Sequence, residues 1–290
     1  MKLKNAAKIN LALDITGRLP NGYHLIESVF QTVGIYDEIT VEPADRITVS
    51  CSVPDVLLQS DDIPCDERNI AYKAAKLFFE EIGTKGGCSV HIKKGIPSQA
   101  GMGGGSSDAA AVLYMLNKLT GADLSAEKLS EIGQKLGADV PFFLVGGTAY
   151  VSGIGEKIVP ISDYSGKILV IGKGREGVST AAAYQSADSL EAPVRLQVKE
   201  LVECINSGGI DAHLYFGNIF ESAVNLSEVE TIKEKMLQCG ALNAVMTGSG
   251  SAVFGLFDSR DQAEKCESIL AEHGFFAQTC KTVSESFKYD

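Results

Sequence analysis

Basic residues are scarce in this 290-residue chain, which also has no tryptophan. Lysine and arginine together number 26 against 37 aspartates and glutamates, so the formal net charge is −11. A general nucleic-acid or anionic-membrane binder needs clustered cations, and this balance disfavours both classes. An acidic chain that handles an anionic small molecule must instead concentrate its few cations in one place.

Long apolar runs are also missing. No window approaches the roughly 20 apolar residues that a membrane-spanning helix needs. Near the N-terminus, Asn10 and Asp14 interrupt the apolar positions, which disfavours a signal peptide. The seven cysteines are odd in number, widely spaced and without a C-x-x-C pair. This pattern is typical of reduced thiols rather than of a disulfide framework or a zinc site, and we expect a cytoplasmic protein.

Enough apolar material is present for a buried core, since 45% of the residues are hydrophobic. The length suits one large domain or two ordinary ones. From Lys8 to Ile15 polar and apolar residues alternate, which predicts a half-buried strand with Lys8 and Asn10 on its polar face. Asn21-Gly22 predicts a hairpin turn. Further strands are predicted at 38–42, 46–51 and 88–94, an exposed loop at 55–68 and a helix at 69–82.

The most informative segment is a glycine run that leads into a helix. Gly101–Gly105 contains four glycines, and Ser106, Ser107 and Asp108 follow as N-cap candidates of a helix that ends at Gly121. Glycine permits a close backbone approach, and a helix start supplies free N–H groups, so the segment can cradle a phosphate. It is neither a Walker P-loop nor a G-x-G-x-x-G motif. On these residues alone, a flexible connector remains the alternative.

The second half of the chain has a different texture. A boundary near 155–164 divides the chain into an N-terminal domain, residues 1–157, and a C-terminal domain, residues 158–290. The periodicity predicts strands at 167–171, 244–246, 252–257 and 275–280, and helices at 179–188, 193–207, 227–238 and 261–272. Helices and strands are therefore mixed in both halves, which predicts an α+β protein.

Three motifs carry a resemblance to a known family. They are Pro97–Ala110 around the glycine run, Ala6–Leu11 near the N-terminus and Thr247–Gly255 near the C-terminus. In order and distance they resemble the motifs of the GHMP kinases, the galactokinase, homoserine kinase, mevalonate kinase and phosphomevalonate kinase family. The resemblance implies an α+β fold of two domains, an N-terminal ribosomal-protein-like β-α-β domain and a C-terminal ferredoxin-like α/β-plait domain. It also implies transfer of the γ-phosphoryl group of ATP to an alcohol.

By the same resemblance, ATP binds on the glycine loop together with Mg²⁺. The implied ATP-binding residues are Asn69, Lys94, Pro97, Ser98, Gln99, Ala100, Gly101, Met102, Gly103, Gly104, Gly105, Ser106 and Ser107. Mg²⁺ keeps several waters and takes few protein ligands. Its ligands are therefore left unassigned, although Ser106 and Ser107 each offer a hydroxyl. Lys93 lies on the other strand face from Lys94 and is interpreted as a solubilising residue.

The resemblance places the catalytic lysine and aspartate at Lys8 and Asp139. A carboxylate can accept the proton of an alcohol as its oxygen attacks phosphorus, and an ammonium beside it stabilises the developing negative charge. On the residues alone, two ordinary interpretations stay open. Asp139 precedes Val140-Pro141 and suits a helix N-cap, and Lys8 suits a solvated strand lysine.

Gly22-Tyr23-His24, Gly137–Phe142 and Gly177–Ala181 resemble a narrower branch of the family, whose small-molecule acceptor carries a cytidine diphosphate group. The substrate-binding residues that this implies are Asn10, Tyr23, His24, Phe30, Thr180 and Tyr184. Aromatic rings and a histidine suit stacking and hydrogen bonding to a pyrimidine, and hairpin packing is the alternative. Another GHMP small-molecule kinase, or a non-catalytic ligand sensor on the same fold, also stays open.

One segment departs from the family pattern. Residues 172–177 contain no proline after the predicted strand, although relatives often carry one. Lys173 and Arg175 in this segment are left without an assigned role.

Overall fold

The structure, a computed structural model, describes residues 1–54, 57, 63–190 and 194–289. The strands are β1 Lys2–Arg18, β2 His24–Ala44, β3 Thr48–Ser52, β4 Gly87–Lys93, β5 Thr148–Gly153, β6 Lys157–Pro160, β7 Ile168–Lys173, β8 Gly217–Asn218, β9 Asn243–Met246, β10 Val253–Phe257, β11 Phe276–Lys281 and β12 Phe287–Lys288. The helices are α1 Ile70–Glu81, α2 Gly104–Thr120, α3 Ala126–Leu136, α4 Val140–Val145, α5 Thr180–Asp188, α6 Val198–Asn206, α7 Ser227–Gln238 and α8 Arg260–Glu272. Among the described residues, no helix has the length and apolar character needed to cross a bilayer.

The first sheet is built on the long antiparallel pair β1 and β2, whose register runs from Lys2 opposite Thr40 to Arg18 opposite His24. Its strand order is β12-β1-β2-β4-β3, with β5 and β6 continuing from the first half of β2 and β8 parallel to β1. Helices α1 to α4 pack on one face around Phe78, Leu113 and Phe142. Strand β1 was predicted to be half-buried, but both of its faces are covered.

The second sheet has the order β11-β7-β10-β9, with antiparallel neighbours throughout. Helices α7 and α8 cover one face through residues such as Ile232 and Leu270. On the other side, Ile171 and Phe254 belong to one hydrophobic cluster with Ile9 of β1. The two sheets therefore share a core, and Asn10 of β1 contacts Thr247 and Gly248 in the loop between β9 and β10.

Helix α2 begins earlier than the sequence predicts. Its N-cap is Gly103, in the left-handed region with φ of 70°, and not one of the residues from Ser106 to Asp108. A glycine tolerates that conformation, so the helix starts directly after it. Ser107 and Asp108 consequently lie within the helix, as its fourth and fifth residues, and both are buried. The predicted end at Gly121 is confirmed.

Other boundaries agree or differ for local reasons. Helix α1, with Asn69 as its N-cap, begins where predicted, and α3 is capped by Ser125. The strand predicted at 38–42 is the end of the continuous β2. The helix predicted from 193 begins at Val198, and position 193 lies outside the described residues, as does much of the predicted loop 55–68. The proposed domain boundary at 157/158 falls within β6.

Candidate active site

A cavity of about 440 Å³ opens beside the glycine run. Its lining consists of Ile63, Pro64, Arg68, Asn69, Ile70, Lys94, Ile96, Pro97, Ser98, Gln99, Ala100, Gly101, Met102, Gly103, Gly104, Gly105, Ser106 and Asp108. Such a volume lies within the range of about 300–1,000 Å³ that is typical of small-molecule sites. Every residue predicted to bind ATP lines this cavity except Ser107.

Glycine is required at two positions of the loop. Gly101 and Gly103 have φ angles of 71° and 70°. A Cβ atom on Gly101 would stand 2.1 Å from the carbonyl oxygen of Thr247, so the loop packs directly on the second glycine motif. The first N–H groups of α2 have no partner within the helix. Their orientation, together with the helix dipole, makes the loop a cradle for an anion.

Ser107 faces away from the cavity. Its hydroxyl donates to the carbonyl oxygen of Ala6 at 2.7 Å and accepts a hydrogen bond from the Asn5 amide at 3.1 Å. Its backbone N–H donates to the carbonyl oxygen of Gly103. The residue is fully buried. Ser107 therefore fastens α2 to β1, and in this arrangement its side chain is not available to a nucleotide or a metal.

Lys94 lies beneath the cradle in a buried cluster of charges. Its ammonium contacts the Asp37 carboxylate and donates to Asp108 at 2.9 Å. Asp37 also accepts the N–H groups of Gly95 and Ile96, at 2.7 and 2.8 Å. The lysine thus touches the cavity while its ammonium is already paired with two carboxylates.

These contacts fix the charge of the lysine. Burial alone would lower the pKa of Lys94, but the Asp108 and Asp37 carboxylates outweigh that effect and raise it. Burial and the neighbouring Asp108 raise the pKa of Asp37 to about 8. A Cβ atom on Gly104 would lie 3.5 Å from the Lys94 Nζ. A positive charge therefore stands directly behind the first turn of α2.

Lys8 is buried rather than solvated, with only 3% of its surface exposed. Its Nζ donates to the Asn10 Oδ1 at 2.7 Å and lies 3.6 Å from the Asp139 Oδ2. The same atom stands 4.5 Å above the centre of the Phe30 ring, a cation–π contact. Burial lowers the pKa of Lys8, and Asp139 partly opposes that effect. The solvated-lysine interpretation is therefore wrong.

Asp139 occupies the N-cap position of α4 but does not act as a cap. Its backbone is helical, and its side chain makes no capping hydrogen bond. About a third of the side chain is exposed (32%), whereas the Lys8 side chain is almost fully buried. Burial, and then the Asp139 carboxylate, raise the pKa of Tyr184 to about 12. The exposed part of the Asp139 carboxylate is accessible to a further group.

The Lys8–Asp139 pair adjoins the phosphate cradle. The backbone N–H of Lys8 donates to the carbonyl oxygen of Met102 at 3.0 Å. A Cβ atom on Gly103 would lie 3.3 Å from the Lys8 Cγ. Similarly, a Cβ on Gly137, two residues before Asp139, would lie 3.9 Å from the Ser106 Oγ. The charged pair and the cradle are therefore neighbours in one cleft.

Asn10 connects Lys8 to the second glycine motif. Its Oδ1 accepts from the Lys8 Nζ, from the Thr247 hydroxyl at 3.2 Å and from the Gly248 N–H at 3.0 Å. Its Nδ2 donates to the Ser28 hydroxyl at 3.0 Å. The residue is 1% exposed. Predicted as a substrate contact, Asn10 lies behind Lys8 with its amide groups already paired.

A second group of predicted substrate residues lies where β2 begins. Tyr23 is 60% exposed. The His24 ring stacks on Tyr184 with centroids 4.5 Å apart and 19° between the planes. Its Nε2 lies 2.7 Å from the Asp188 Oδ1. A smaller cavity of about 210 Å³, lined in part by His24, Asp188 and Arg18, adjoins this group.

The two remaining predicted substrate residues are placed differently. Phe30 is buried, with its ring edge-on to Phe142 at 5.2 Å and the Lys8 ammonium above it. It therefore lies beneath Lys8 rather than on an open surface. The Thr180 hydroxyl lies 3.1 Å from that of Ser249, which joins the start of α5 to the second glycine motif.

Sequence reasoning missed Asp188, Arg18, Asp37 and Asp108 as members of these clusters. Asp37 lies in β2 and Asp188 at the end of α5, and neither has a local pattern that marks it. Their partners are distant in the chain, so only the fold brings them together. Asp108 did carry a signal, because it lies three residues after the end of the glycine run, at the start of the predicted helix.

The residues fit a magnesium ion that is held mainly by a nucleotide. Among the described residues, no group of three or more His, Cys, Asp and Glu is placed to hold a metal. Mg²⁺ in phosphoryl transfer needs only one or two protein oxygens, because phosphates and waters supply the rest. Ser106, which is partly exposed at the cavity edge, offers such an oxygen.

The chain is similar in sequence to known proteins along most of its length. Residues 69–147 match the family described as GHMP kinases N terminal domain, and residues 209–275 match GHMP kinases C terminal. A 4-diphosphocytidyl-2-C-methyl-D-erythritol kinase of Clostridium botulinum is 41% identical over 276 residues, 94% of this chain and 96% of the relative. One from Clostridium tetani is 41% identical over 271 residues, covering 92% and 94%.

Solved structures agree with this relationship. The crystal structure of a 4-(cytidine 5'-diphospho)-2C-methyl-D-erythritol kinase superposes with a TM-score of 0.80 at 30% identity, covering 97% of this chain and 99% of that one. A homoserine kinase from Cytophaga hutchinsonii has a TM-score of 0.75 at 19% identity, covering 99% and 96%, and shares the fold. The predicted α+β GHMP kinase fold and the ATP-dependent phosphotransferase class are confirmed. The chain belongs to the GHMP kinases and, among them, to the 4-diphosphocytidyl-2-C-methyl-D-erythritol kinases.

Proposed function

We propose that this chain transfers the γ-phosphoryl group of ATP to the 2-hydroxyl of 4-diphosphocytidyl-2-C-methyl-D-erythritol, a step of the non-mevalonate route to isoprenoid precursors. The observation that carries the proposal is the Lys8–Asp139 pair, 3.6 Å apart, next to the glycine-loop cavity. An ammonium and a partly exposed carboxylate beside an anion cradle suit the attack of an alcohol on a phosphate.

The reaction assigns one task to each member of the pair. The substrate oxygen forms a bond to the γ-phosphorus while the bond from that phosphorus to the ADP oxygen breaks. Asp139 accepts the proton of the hydroxyl. Lys8 stabilises the Asp139 carboxylate and the negative charge on the transferring group, and Asn10 fixes the Lys8 ammonium. Because Lys8 is buried, its charge acts in a medium that screens it poorly.

The glycine loop and the cluster behind it hold the nucleotide in this proposal. The N–H groups at the start of α2 bind the phosphates, and the Lys94 ammonium adds positive charge from beneath. Asn69 lies in the same cavity lining, at the end expected for adenine. Bound Mg²⁺ would neutralise charge on the triphosphate, and Ser106 is the residue that would hold it.

The cytidine end of the acceptor occupies the other side of the cleft. Tyr23 and Tyr184 offer aromatic faces, and His24 offers a ring nitrogen. Thr180 stands beside the second glycine motif, with its hydroxyl 3.1 Å from that of Ser249. Tyr184 and His24 form one stacked surface at this end of the cleft.

A panel of acceptor alcohols tests this proposal. The purified protein with ATP and Mg²⁺ is offered 4-diphosphocytidyl-2-C-methyl-D-erythritol, homoserine or mevalonate, and ADP release is measured. We expect stoichiometric ADP with the first acceptor and background release with the others. Preference for homoserine or mevalonate would assign the chain to another GHMP activity. ATP binding without turnover on any acceptor would favour the ligand-sensor alternative.

A further inference from the structure

Asp188 forms a hydrogen bond with His24 and an ion pair with Arg18 at the smaller cavity. Its Oδ1 lies 2.7 Å from the His24 Nε2, and its Oδ2 lies 3.0 Å from an Arg18 terminal nitrogen. The His24 side chain is 10% exposed, while Asp188 and Arg18 are 34% and 58% exposed. The hydrogen bond from His24 lowers the pKa of Asp188. The carboxyl group is therefore ionised.

An ionised carboxylate accepts hydrogen bonds and cannot donate one. The His24 Nε2 must therefore carry the proton of this contact. In the neutral imidazole, the other nitrogen, Nδ1, is then an acceptor with a free lone pair. No residue that the structure describes gives this Nδ1 a hydrogen-bond partner. Stacking on Tyr184 holds the ring plane, so the direction of the lone pair is fixed as well.

The C-terminal end of α5 is an unfavourable location for the Asp188 carboxylate. It is the last residue of α5, where the negative end of the helix dipole repels an anion. No basic residue in the last turn offsets that repulsion. Its compensation comes instead from Arg18, which lies at the end of β1. The Asp188 carboxylate is thus placed against the helix dipole, and this position allows its contact with His24.

We propose that Asp188 is a positioning residue that selects cytosine over uracil by fixing the His24 tautomer, a role that rests on the proposed function. Cytosine presents an amino group, a donor, where uracil presents a carbonyl oxygen, an acceptor. An acceptor at Nδ1 pairs with the amino group and meets the uracil oxygen lone pair to lone pair. The carboxylate at position 188 therefore decides which base can satisfy His24.

Asp188→Asn tests this role because an amide can donate as well as accept. It lets His24 adopt the opposite tautomer, with Nδ1 as a donor that suits uracil. Dissociation constants of CDP and UDP are measured by isothermal titration for the wild type, Asp188→Asn and Asp163→Asn, a matched charge change on an exposed turn. We expect the CDP preference to shrink about tenfold in Asp188→Asn and to stay unchanged in Asp163→Asn.

Nitrogen-15 chemical shifts of the histidine rings give an independent readout. The chain has four histidines, and His24→Gln identifies the signals of His24. We expect a protonated Nε2 and an unprotonated Nδ1 in the wild type, and a population of the reverse tautomer in Asp188→Asn. Asp188→Glu, which keeps the carboxylate, should restore the wild-type pattern.

Two results would overturn the role of Asp188. One is an equal loss of CDP and UDP affinity in Asp188→Asn with their ratio unchanged, which would mark a purely structural contact. The other is a protonated Nδ1 in the wild-type spectrum, which decides the question even if the variant fails to fold. Failure of the wild type to bind CDP at all would contradict the proposed function instead.

Discussion

Burial gives the Lys8 side chain an environment that an exposed strand lysine does not have. A buried charge without partners strongly destabilises the folded state. The Lys8 ammonium has three partners, namely Asn10, Asp139 and the Phe30 ring. Burial nevertheless lowers the pKa of Lys8, so these contacts do not fully compensate for the desolvation of its ammonium. We infer that this desolvation accompanies the placing of an ammonium at a reacting phosphate.

Lys8→Met separates activity from stability. Methionine fills similar space without a charge, so the free energy of unfolding should stay the same or rise. Turnover should fall by about 10²–10³, the loss typical of removing one group that stabilises transition-state charge. Lys93→Met, at an exposed strand end, is the control and should alter neither quantity. A strongly destabilised Lys8→Met with normal turnover would refute the assigned role.

The pH dependence of turnover follows from the direction of the Lys8 shift. Burial lowers the pKa of Lys8 below its ordinary 10.5, so the ammonium loses its proton earlier as the pH rises. Turnover should therefore fall on the alkaline side at a pH below 10.5. Lys8→Arg keeps its charge across this range, so its residual activity should lack that alkaline limb. An identical limb in both proteins would assign the titration to another group.

Strands and helices position the site through contacts between loops. The first glycine loop packs on the second one, where Gly101 touches Thr247 and Gly248. Asn10 on β1 binds the second loop from the other side. The two loops and the strand therefore form one unit, and a change in either loop should alter the geometry of the cavity beside the glycine run.

Gly101→Ala tests that contact against a matched control. Alanine at a φ of 71° should lower the free energy of unfolding by about 1–2 kcal/mol through backbone strain. The collision of its Cβ with the Thr247 carbonyl oxygen should lower it by about 1–3 kcal/mol more. Gly166→Ala has φ of 84° and nothing within 4 Å of the new Cβ, so it should be destabilised only by backbone strain. Chemical denaturation should show the larger loss in Gly101→Ala, and ATP titration should show weaker binding in that variant alone. Equal losses in both would mean that the loops do not depend on each other.

The sequence predicts these elements unevenly, for physical reasons. Helix α1 repeats its apolar residues at the helical period and has Asn69 as a local cap, so both its span and its start are predictable. The burial of Lys8 is not predictable, because the sequence of one strand does not show that Phe30, Asp139 and the glycine loop cover this side chain. The pairing of Lys94 with Asp37 and of His24 with Asp188 joins distant parts of the chain. Periodicity carries no information about such pairs, and only the family resemblance pointed to Lys8 and Asp139.

The molecule as a whole is less divisible than two sequence domains suggest. Strand β1 pairs with β8 and β12 from the second half of the chain as well as with β2. Ile9 and Phe254, from the two sheets, belong to one buried cluster. The proposed catalytic pair comes from the first half, but the loop that binds Asn10 comes from the second.

A chain cut at 157/158 should therefore not yield two independent domains. Fragment 1–157 would expose the β1 edge and the apolar residues that face the second sheet. We expect it to be aggregated or only partly folded by circular dichroism and gel filtration. Co-expression with fragment 158–290 should restore a compact, ATP-binding complex. A fragment 1–157 that is monomeric, cooperatively folded and able to bind ATP would instead support an independent N-terminal domain.

The most direct measurement compares ATP binding with single-turnover phosphorylation in Asp139→Asn. Asparagine keeps the size of the side chain but cannot accept the proton, so the phosphoryl-transfer rate should fall by about 10²–10⁴ while the ATP dissociation constant stays within about twofold. That separation is expected because Asp139 adjoins the cradle without lining the nucleotide cavity. A near-normal transfer rate in Asp139→Asn would contradict the central claim that the Lys8–Asp139 pair performs the chemistry.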